Sequence, residues 1–336
     1  MRVCVLGSGP FGTSLANVLA VHCEQVWLWG RNGQVVDSIN TRHENSAYLA
    51  GIPLSPRIRA TLSLEEALSS AGLVVSAVPS HATRNVMRAA LPSLPSGVPI
   101  LTVSKAIEPE TLYTMTQMLK DCLPASFHPF IGILSGPSFA QELARGLPTT
   151  VTIAATDEAL ARYCQRLFQT PTLRTYTNTD VIGVEIGGAL KNVIAIAVGM
   201  IEGLGFGFNT RSAIITLGLA EISRLAVHLG ADPRTLSGLS GMGDLVLTCT
   251  GELSRSWQVG FELAKDRALE DIFRSIKKPM IEGVKTAQSA HALSTRTGVE
   301  LPICHQVYLV TYHQKSARAA MTEVIDRQFR ELPSGP

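Results

Sequence analysis

Hydrophobic residues in the first half of the chain form short runs that alternate with longer amphipathic stretches. The short runs predict β-strands at residues 2–6, 25–29, 58–61, 73–78, 100–104, 130–134, 150–153 and 173–176. The amphipathic stretches predict helices at residues 13–21, 64–70, 81–91, 111–119, 139–145 and 158–168. This alternation is typical of the α/β class, in which helices cover both faces of a largely parallel sheet.

Beyond about residue 178 the strand pattern stops, and the periodicity that remains is helical. Helices are predicted at residues 180–201, 211–229, 233–239, 255–267, 283–296, 303–313 and 317–328. We therefore expect two domains with a cleft between them: an α/β domain over residues 1–179 and an all-α domain over residues 180–336.

The first strand ends in a glycine-rich turn, Gly7-Ser8-Gly9-Pro10-Phe11-Gly12, which leads directly into a helical pattern. In a dinucleotide-binding turn the first glycine permits the tight bend and the second lets the backbone approach a pyrophosphate. The third glycine lets helix and strand pack closely. Three glycines at these offsets are a weak signal alone, but their place between a strand and a helix is the context that the motif requires. The first domain is therefore expected to be a Rossmann-type, doubly wound fold.

The second strand is followed by Gly30-Arg31-Asn32, where NAD-specific domains carry a carboxylate for the ribose 2′-hydroxyl. A guanidinium suits a 2′-phosphate instead, so Arg31 favours NADP(H) over strict use of NAD(H). The alternative is a solvated arginine at a strand end.

Ligands of doubly wound sheets bind beyond the carboxyl ends of the strands. That rule selects residues 79–80, Lys105 and residues 135–138. Lys105 is the first cation after a strand without charge, although an ordinary strand-end lysine would have the same sequence pattern.

Lys191 lies in the middle of the helix predicted at residues 180–202, on a stripe of small and apolar residues. No carboxylate stands three or four residues away to pair with it. A buried lysine is costly unless a distant partner or a ligand receives its charge. Lys191 is therefore either a proton-transferring group, or an ordinary lysine on an exposed face or in an interdomain ion pair.

Two later segments carry further polar candidates. Asp244 follows a glycine-rich turn and is flanked by apolar residues 245–247. Ser254 is a candidate N-cap for a helix with Arg255 in its first turn, an arrangement that suits a phosphate or a carboxylate. A tight turn and a surface arginine are the alternatives for these two segments.

Composition narrows the class of protein. The chain is 46% hydrophobic and 17% charged, and its net charge of +2 gives no electrostatic case for nucleic acid or an anionic membrane. The longest stretch without charge, residues 122–141, contains three prolines, so no membrane insertion is expected. The scattered cysteines and histidines indicate no metal site, and they favour reduced thiols in a cytoplasmic protein. The chain starts directly in a strand pattern, so we expect no signal peptide.

Several long segments together resemble the NAD(P)-dependent sn-glycerol-3-phosphate dehydrogenases. They are GSGPFGTSLA (7–16), NSAYLAGI (45–52), SKAIEP (104–109), LSGPSFAQELARGLPT (134–149), EIGGALKNVIAIAVGMIEGL (185–204), NTRSAIITLGLAEISRLA (209–226) and GLSGMGDLVLTCTGELSRS (238–256). The resemblance implies reduction of dihydroxyacetone phosphate, a phosphorylated triose, to sn-glycerol 3-phosphate for glycerophospholipid synthesis. It also implies NADP(H) or NAD(H) as cofactor and a homodimer.

The resemblance also assigns roles to individual residues. Lys191 matches the proton donor and acceptor, Lys105 the lysine that contacts both substrate and cofactor, and Asp244 the carboxylate that steadies the catalytic lysine. The implied substrate contacts are Lys105, Gly136, Ser138, Lys191, Asn192, Asp244, Thr248, Ser254, Arg255 and Ser256. The implied cofactor contacts are Gly7, Gly9, Pro10, Phe11, Gly12, Arg31, Tyr48, Lys105, Ala140, Arg255, Met280 and Glu282.

Two parts of the sequence depart from the usual pattern of that family. Residues 256–258 are Ser-Trp-Gln where the family usually has Asn-Arg-Arg, and Phe208 replaces an aspartate. Neither departure includes a lysine or Asp244, so we expect the chemistry to be intact. Two other interpretations are a different two-domain dehydrogenase, of the 3-hydroxyisobutyrate or 6-phosphogluconate type, and a nucleotide-binding sensor without catalysis.

Overall fold

The computed structural model describes residues 1–276 and 281–330, with side chains up to residue 327. The chain forms two compact units. The first contains residues 1–105 and 113–184, and the second contains residues 106–112 and the chain from Glu185 onward. The functional domain boundary predicted between residues 179 and 180 stays a prediction.

The first unit is built on an eight-stranded sheet with the order β3-β2-β1-β4-β5-β6-β7-β8. Neighbouring strands are parallel except β6 and β7, which are antiparallel. The strands are β1 (Arg2–Leu6), β2 (Gln25–Trp29), β3 (Ile58–Thr61), β4 (Val74–Ser76), β5 (Ile100–Thr102), β6 (Ile131–Ser135), β7 (Thr149–Ala155) and β8 (Leu173–Asn178). The expected α/β class with a largely parallel sheet is confirmed.

Helices of the first unit connect these strands. They are α1 (Pro10–Leu19), α2 (Gly33–Arg42), α3 (Leu64–Leu68), α4 (Ser80–Ala90), α5 (Met115–Cys122), α6 (Ala140–Ala144) and α7 (Glu158–Phe168). The central strand β1 has Val3, Cys4, Val5 and Leu6 fully buried, because helices cover both faces of the sheet. Helix α2 was not predicted from periodicity. Its N-cap is Asn32, whose side chain accepts hydrogen bonds from the backbone N–H groups of the first turn.

In the second unit the described residues from Glu185 onward form helices joined by turns, as expected, whereas residues 106–112 are not helical. Its helices are α8 (Val181–Gly203), α9 (Phe208–His228), α10 (Pro233–Leu236), α11 (Asp244–Thr250), α12 (Arg255–Leu263), α13 (Leu269–Ser275), α14 (Glu282–Thr297), α15 (Pro302–His313) and α16 (Ala317–Arg330). Helix α8 is apolar and long enough to cross a membrane, with a mean hydropathy of 1.8, but 83% of its most apolar window is buried in the fold. Its composition is therefore that of a core helix.

A buried carboxylate joins two helices of the second unit. Glu221 of α9 is 1% exposed and accepts hydrogen bonds from the backbone N–H groups of Ile303 (2.6 Å) and Cys304 (3.2 Å). These are first-turn groups of α15, which have no acceptor inside their own helix. Glu221 therefore caps α15 from another helix, and a negative charge is favourable at that helix end.

Glu221 makes the stability of the protein depend on pH. Burial raises its pKa from 4.5 to about 7, although the N–H groups of Ile303 and Cys304 and the charge of Arg224 lower it. Between these pH values the folded protein keeps a proton that the unfolded chain releases, so the free energy of unfolding falls as pH rises from about 4.5 to about 7. The fall amounts to roughly 3 kcal/mol. We expect it to be absent in Glu221→Gln, as measured by chemical denaturation at about pH 5 and about pH 8.

Glu110→Gln is a matched control, because the Glu110 side chain is exposed. This variant should keep the pH dependence of the wild type. Equal pH dependence in the wild type and in Glu221→Gln would contradict the role of Glu221.

Candidate active site

The glycine-rich turn of the first unit has the geometry of a dinucleotide-binding turn. Gly7 has a φ of +117°, and a Cβ there would lie 2.6 Å from the Ala77 carbonyl oxygen. A Cβ at Gly12 would lie 2.0 Å from the Gly7 carbonyl oxygen, whereas a Cβ at Gly9 would meet nothing within 4 Å. Gly9 is the N-cap of α1 and Pro10 its first residue, so no side chain covers this helix end. A turn with one open side and a bare helix N-terminus fits the diphosphate of a dinucleotide.

A residue that was not among the predicted site residues anchors this turn. Asn45 is fully buried, and its Nδ2 donates to the Ser8 carbonyl oxygen (3.0 Å) and to Thr13 Oγ1 (2.8 Å). Asn45 therefore connects the glycine-rich turn and α1 to the segment after α2, more than thirty residues later in the chain. Asn45 falls inside the segment NSAYLAGI, but no local pattern indicates its partners.

The other predicted cofactor contacts of the first unit lie on several of its helices and connecting segments. Phe11 is half-buried against the core, Arg31 is exposed directly after β2, and Tyr48 is 41% exposed. Ala140 begins α6, and its carbonyl oxygen accepts a hydrogen bond from Ser14 of α1 (2.9 Å). This bond joins the helix of the glycine-rich turn to the segment that follows β6.

Lys105, Gly136 and Ser138 meet beyond the carboxyl ends of β5 and β6. Lys105 Nζ donates to the Gly136 carbonyl oxygen (2.9 Å), and Ser138 Oγ donates to the same oxygen (3.0 Å). Gly136 has a φ of +133°, and a Cβ there would lie 3.0 Å from the Val151 Cα, so glycine suits this position. The structure therefore brings together Lys105 and two residues of the segment 135–138, which the rule for strand ends selected from the sequence.

In the second unit, Lys191 forms a buried ion pair. The residue is 7% exposed, and its Nζ donates to Asp244 Oδ1 and to Thr248 Oγ1 (2.7 Å). Asp244 is fully buried, and Thr248 Oγ1 in turn donates to the Asp244 carbonyl oxygen (2.6 Å). Helix α8 has no carboxylate three or four residues from Lys191. The partner of Lys191 is instead Asp244 of α11, 53 residues later.

Local packing brings Asp244 to the side of α8. Residues Leu239–Gly243 form a π-helical turn that runs directly into α11, whose first residue is Asp244. A Cβ at Gly187 of α8 would lie 2.8 Å from the Ser240 carbonyl oxygen, so the turn contacts the α8 backbone. A Cβ at Gly241 would lie 2.1 Å from the Leu236 carbonyl oxygen. The small residues of this segment therefore allow the turn that carries Asp244 to pack closely.

The N-terminus of α12 carries the other predicted polar group. Ser254 is its N-cap, with Oγ accepting from the Trp257 backbone N–H (3.3 Å), which confirms the cap predicted from the sequence. Ser254 and Ser256 are buried, whereas Arg255 is exposed and has no hydrogen-bond or ion-pair partner among the residues that the structure describes. A free guanidinium beside a helix N-terminus is suited to a phosphate group.

Three predicted residues remain. Asn192 follows Lys191 in α8, and its Nδ2 lies 3.5 Å from the Gly188 carbonyl oxygen. Glu282 is half-buried and is the first residue of α14. Met280 lies outside the described residues. Within the described ranges no group of three or more histidine, cysteine, aspartate or glutamate side chains could hold a metal ion.

Comparisons with known proteins cover both units. Residues 2–161 match the family described as the N-terminus of NAD-dependent glycerol-3-phosphate dehydrogenase, and residues 180–322 match its C-terminus. The chain is 63% identical over 335 residues to glycerol-3-phosphate dehydrogenase [NAD(P)+] of Myxococcus xanthus, covering 100% of both chains. It is 48% identical over 330 residues to the enzyme of the same name from Anaeromyxobacter dehalogenans, covering 98% of this chain and 99% of that one.

A solved structure has the same fold. The crystal structure of glycerol-3-phosphate dehydrogenase from Coxiella burnetii superposes with a TM-score of 0.91 at 31% identity. The superposition covers 96% of this chain and 98% of that one. The matches to both family segments, the full-length relatives and this structure agree with one another. This chain therefore belongs to the NAD-dependent glycerol-3-phosphate dehydrogenase family.

Proposed function

We propose that this protein catalyses the NAD(P)H-dependent reduction of dihydroxyacetone phosphate to sn-glycerol 3-phosphate, a reversible reaction. Family membership supports this reaction over those of the other two-domain dehydrogenases considered from the sequence. The observation that carries the chemistry is the buried ion pair of Lys191 and Asp244, with Thr248 beside it. We also propose the domain roles expected from the sequence, cofactor binding by residues 1–179 and substrate binding by residues 180–336.

Lys191 is the proton donor in this proposal. A carbonyl oxygen gains negative charge as its carbon is reduced, and a positioned ammonium both stabilises that charge and supplies the proton. Asp244 and Thr248 accept hydrogen bonds from the amine, which fixes its position in a buried setting. The low exposure of Lys191 also keeps bulk water away from the amine, which strengthens its electrostatic effect.

Lys105 of the first unit and the N-terminus of α12 in the second unit are further proposed contacts of the substrate. The Lys105 amine, oriented by the Gly136 carbonyl oxygen, supplies a second positive charge for the substrate. Arg255 and the backbone N–H groups at the start of α12 bind the phosphate, because a forked cation and free amides suit a dianion. Gly136, Ser138, Asn192, Ser254 and Ser256 are the remaining proposed contacts.

The proposed cofactor site is the glycine-rich turn. The open side at Gly9 and the uncapped start of α1 bind the diphosphate, and Arg31 binds a 2′-phosphate when the cofactor is NADP(H). Phe11, Tyr48, Ala140, Arg255, Met280 and Glu282 are the other proposed contacts. The reduced nicotinamide supplies the hydride when it is bound.

The reaction is tested by the absorbance of the reduced nicotinamide, followed with dihydroxyacetone phosphate and NADPH, then with NADH. We expect oxidation that requires the phosphorylated triose and proceeds faster with NADPH if Arg31 contacts a 2′-phosphate. A sensor without catalysis would bind the cofactor without oxidising it. Cofactor binding with no oxidation by any phosphorylated triose would overturn the proposal.

The cellular setting follows from the resemblance and from the reaction. We propose a cytoplasmic enzyme that supplies glycerophospholipid synthesis and works as a homodimer. Light scattering coupled to size-exclusion chromatography should give twice the mass of one chain. The mass of a single chain at working concentration would count against the dimer.

Replacement of Lys191 by alanine tests the proton donor. We expect kcat to fall by roughly two to four orders of magnitude while the affinity for NADPH changes little, because general acid catalysis is lost. The single variant leaves Asp244 buried without its cation, which is destabilising. The double variant Lys191→Met/Asp244→Asn removes both charges and should show the same loss.

Lys265→Ala is the matched control, since Lys265 pairs with Glu262 at the surface. This variant should keep the wild-type kcat. Retention of more than about one tenth of the activity in a folded double variant would remove Lys191 from the proposed role.

A further inference from the structure

Helices α8 and α12 are in direct backbone contact, and glycines make that contact possible. A Cβ at Gly260 of α12 would lie 1.9 Å from the Ile196 carbonyl oxygen of α8. From the other side, a Cβ at Gly199 would lie 2.1 Å from the Trp257 carbonyl oxygen, and one at Gly203 would lie 2.6 Å from the Ala264 Cβ. The helix that carries Lys191 and the helix that begins at Arg255 therefore touch over about two turns.

Contact between glycine surfaces sets the distance between two helices but leaves few side chains to prevent sliding or rotation. A directional bond at this crossing supplies that constraint. The Trp257 indole Nε1 donates to Glu202 Oε2 (3.0 Å), which joins the first turn of α12 to the last turn of α8. The Trp257 ring also stacks on Phe261, one turn further along α12, with ring centroids 5.0 Å apart. The indole is thus held in one orientation.

Glu202 is itself held in place by α9. Arg211 Nη1 donates to Glu202 Oε1 (2.8 Å), so the two carboxylate oxygens have separate donors. The Arg211 guanidinium lies over the Phe208 ring, 4.7 Å from its centroid. Both side chains of the ion pair are mostly buried, at 27% and 21% exposure, so the pair is more rigid than a surface ion pair.

The constraint acts on the N-terminus of α12, the helix end proposed to bind the phosphate. Trp257 is the third residue of α12, and its backbone N–H is bound by the N-cap Ser254. The backbone N–H groups of Arg255 and Ser256 have no acceptor among the described residues. A displacement of Trp257 therefore moves these two N–H groups and the Arg255 side chain relative to Lys191.

We propose that the Trp257–Glu202 hydrogen bond positions the N-terminus of α12 for the phosphate of the substrate. This inference rests on the proposed function. Trp257 and Glu202 are positioning residues, because they act through Arg255 and the backbone N–H groups. The two departures from the family pattern, Trp257 and Phe208, both contact the Glu202–Arg211 pair. This chain thus uses an indole N–H and an aromatic ring at positions where the family usually carries charges.

Variants of the hydrogen bond give the first part of the test. Trp257→Phe keeps an aromatic ring next to Phe261 but removes the indole N–H donor. In Glu202→Gln the single amide oxygen accepts from Arg211, and the amide NH₂, which is a donor, faces the indole N–H. We expect KM for dihydroxyacetone phosphate to rise roughly five- to tenfold in each variant, with kcat changed by less than about twofold. The double variant should be no worse than either single one, because both remove the same bond.

Dihydroxyacetone, which lacks the phosphate, serves as a second substrate. It distinguishes a loss of phosphate positioning from a general structural effect of the substitution. Its kcat/KM should be unchanged in these variants, as it should be in Arg255→Ala, because this substrate has no phosphate to bind. Glu262→Gln is the control for a carboxylate of α12, since Glu262 pairs only with surface residues Lys265 and Arg267 among the described contacts. It should behave as the wild type. Equal losses for both substrates, or no loss for either, would overturn the proposal.

A binding measurement keeps this test separate from the proposed reaction. Inorganic phosphate is titrated into the wild type and into Trp257→Phe by calorimetry, with no cofactor or triose present. The proposal predicts weaker phosphate binding in Trp257→Phe by the same factor as the rise in KM. If the wild type binds phosphate but reduces no triose, only the proposed reaction fails. Equal phosphate affinity in the two proteins, or no phosphate binding by the wild type, overturns the positioning role.

Discussion

The second unit depends on one buried ion pair, the bond between the Lys191 amine and the Asp244 carboxylate. Moving two such charges out of water costs several kcal/mol for each ion, and their mutual attraction compensates only when further hydrogen bonds satisfy them. Thr248 provides such a bond, because its hydroxyl accepts from Lys191 and donates to the Asp244 carbonyl oxygen. A polar cluster of this kind is a liability for folding alone, since an apolar pair of the same volume would fill the space at lower cost. Its presence on an apolar core helix is therefore best explained by chemistry.

In each unit, glycines allow backbone segments to pack against one another beside the proposed ligand contacts. In the first unit, Gly12 lets α1 begin against the Gly7 carbonyl oxygen, which leaves the helix end open to a ligand. In the second unit, Gly187 admits the turn that carries Asp244, and Gly260 admits α12 against α8. Gly283 likewise lets α14 contact the α8 backbone, because a Cβ there would lie 2.7 Å from the Asn192 carbonyl oxygen. Helix α8, which carries Lys191, is thus in backbone contact with three neighbouring segments. Such close packing limits the movement of α8 more strongly than contacts through long side chains would.

Much of the fold could be predicted from the sequence, because strand and helix periods differ and the glycine-rich turn has a fixed context. The misses have local causes. Helix α2 is largely polar, so its pattern is weak, and the π-helical turn before α11 interrupts the regular period. The site was partly predictable. Lys191 stood out because its stripe is apolar, but its partner lies 53 residues away, and only the apolar flanks of Asp244 hinted at burial.

Residues that hold others in place were the hardest to predict. Asn45 and Glu202 have ordinary sequence surroundings, and their roles come from contacts that no period encodes. Trp257 and Phe208 were identified from the sequence as departures from a family pattern, and no pattern in the sequence indicated the contacts that they make. The structure gives them a common partner, the ion pair of Glu202 and Arg211. An indole N–H satisfies one carboxylate oxygen without adding a charge, and an aromatic face stabilises a guanidinium without a second carboxylate. The indole thus satisfies Glu202 without a cation, and Arg255 remains the charged side chain in the first turn of α12, where residues 256–258 are uncharged.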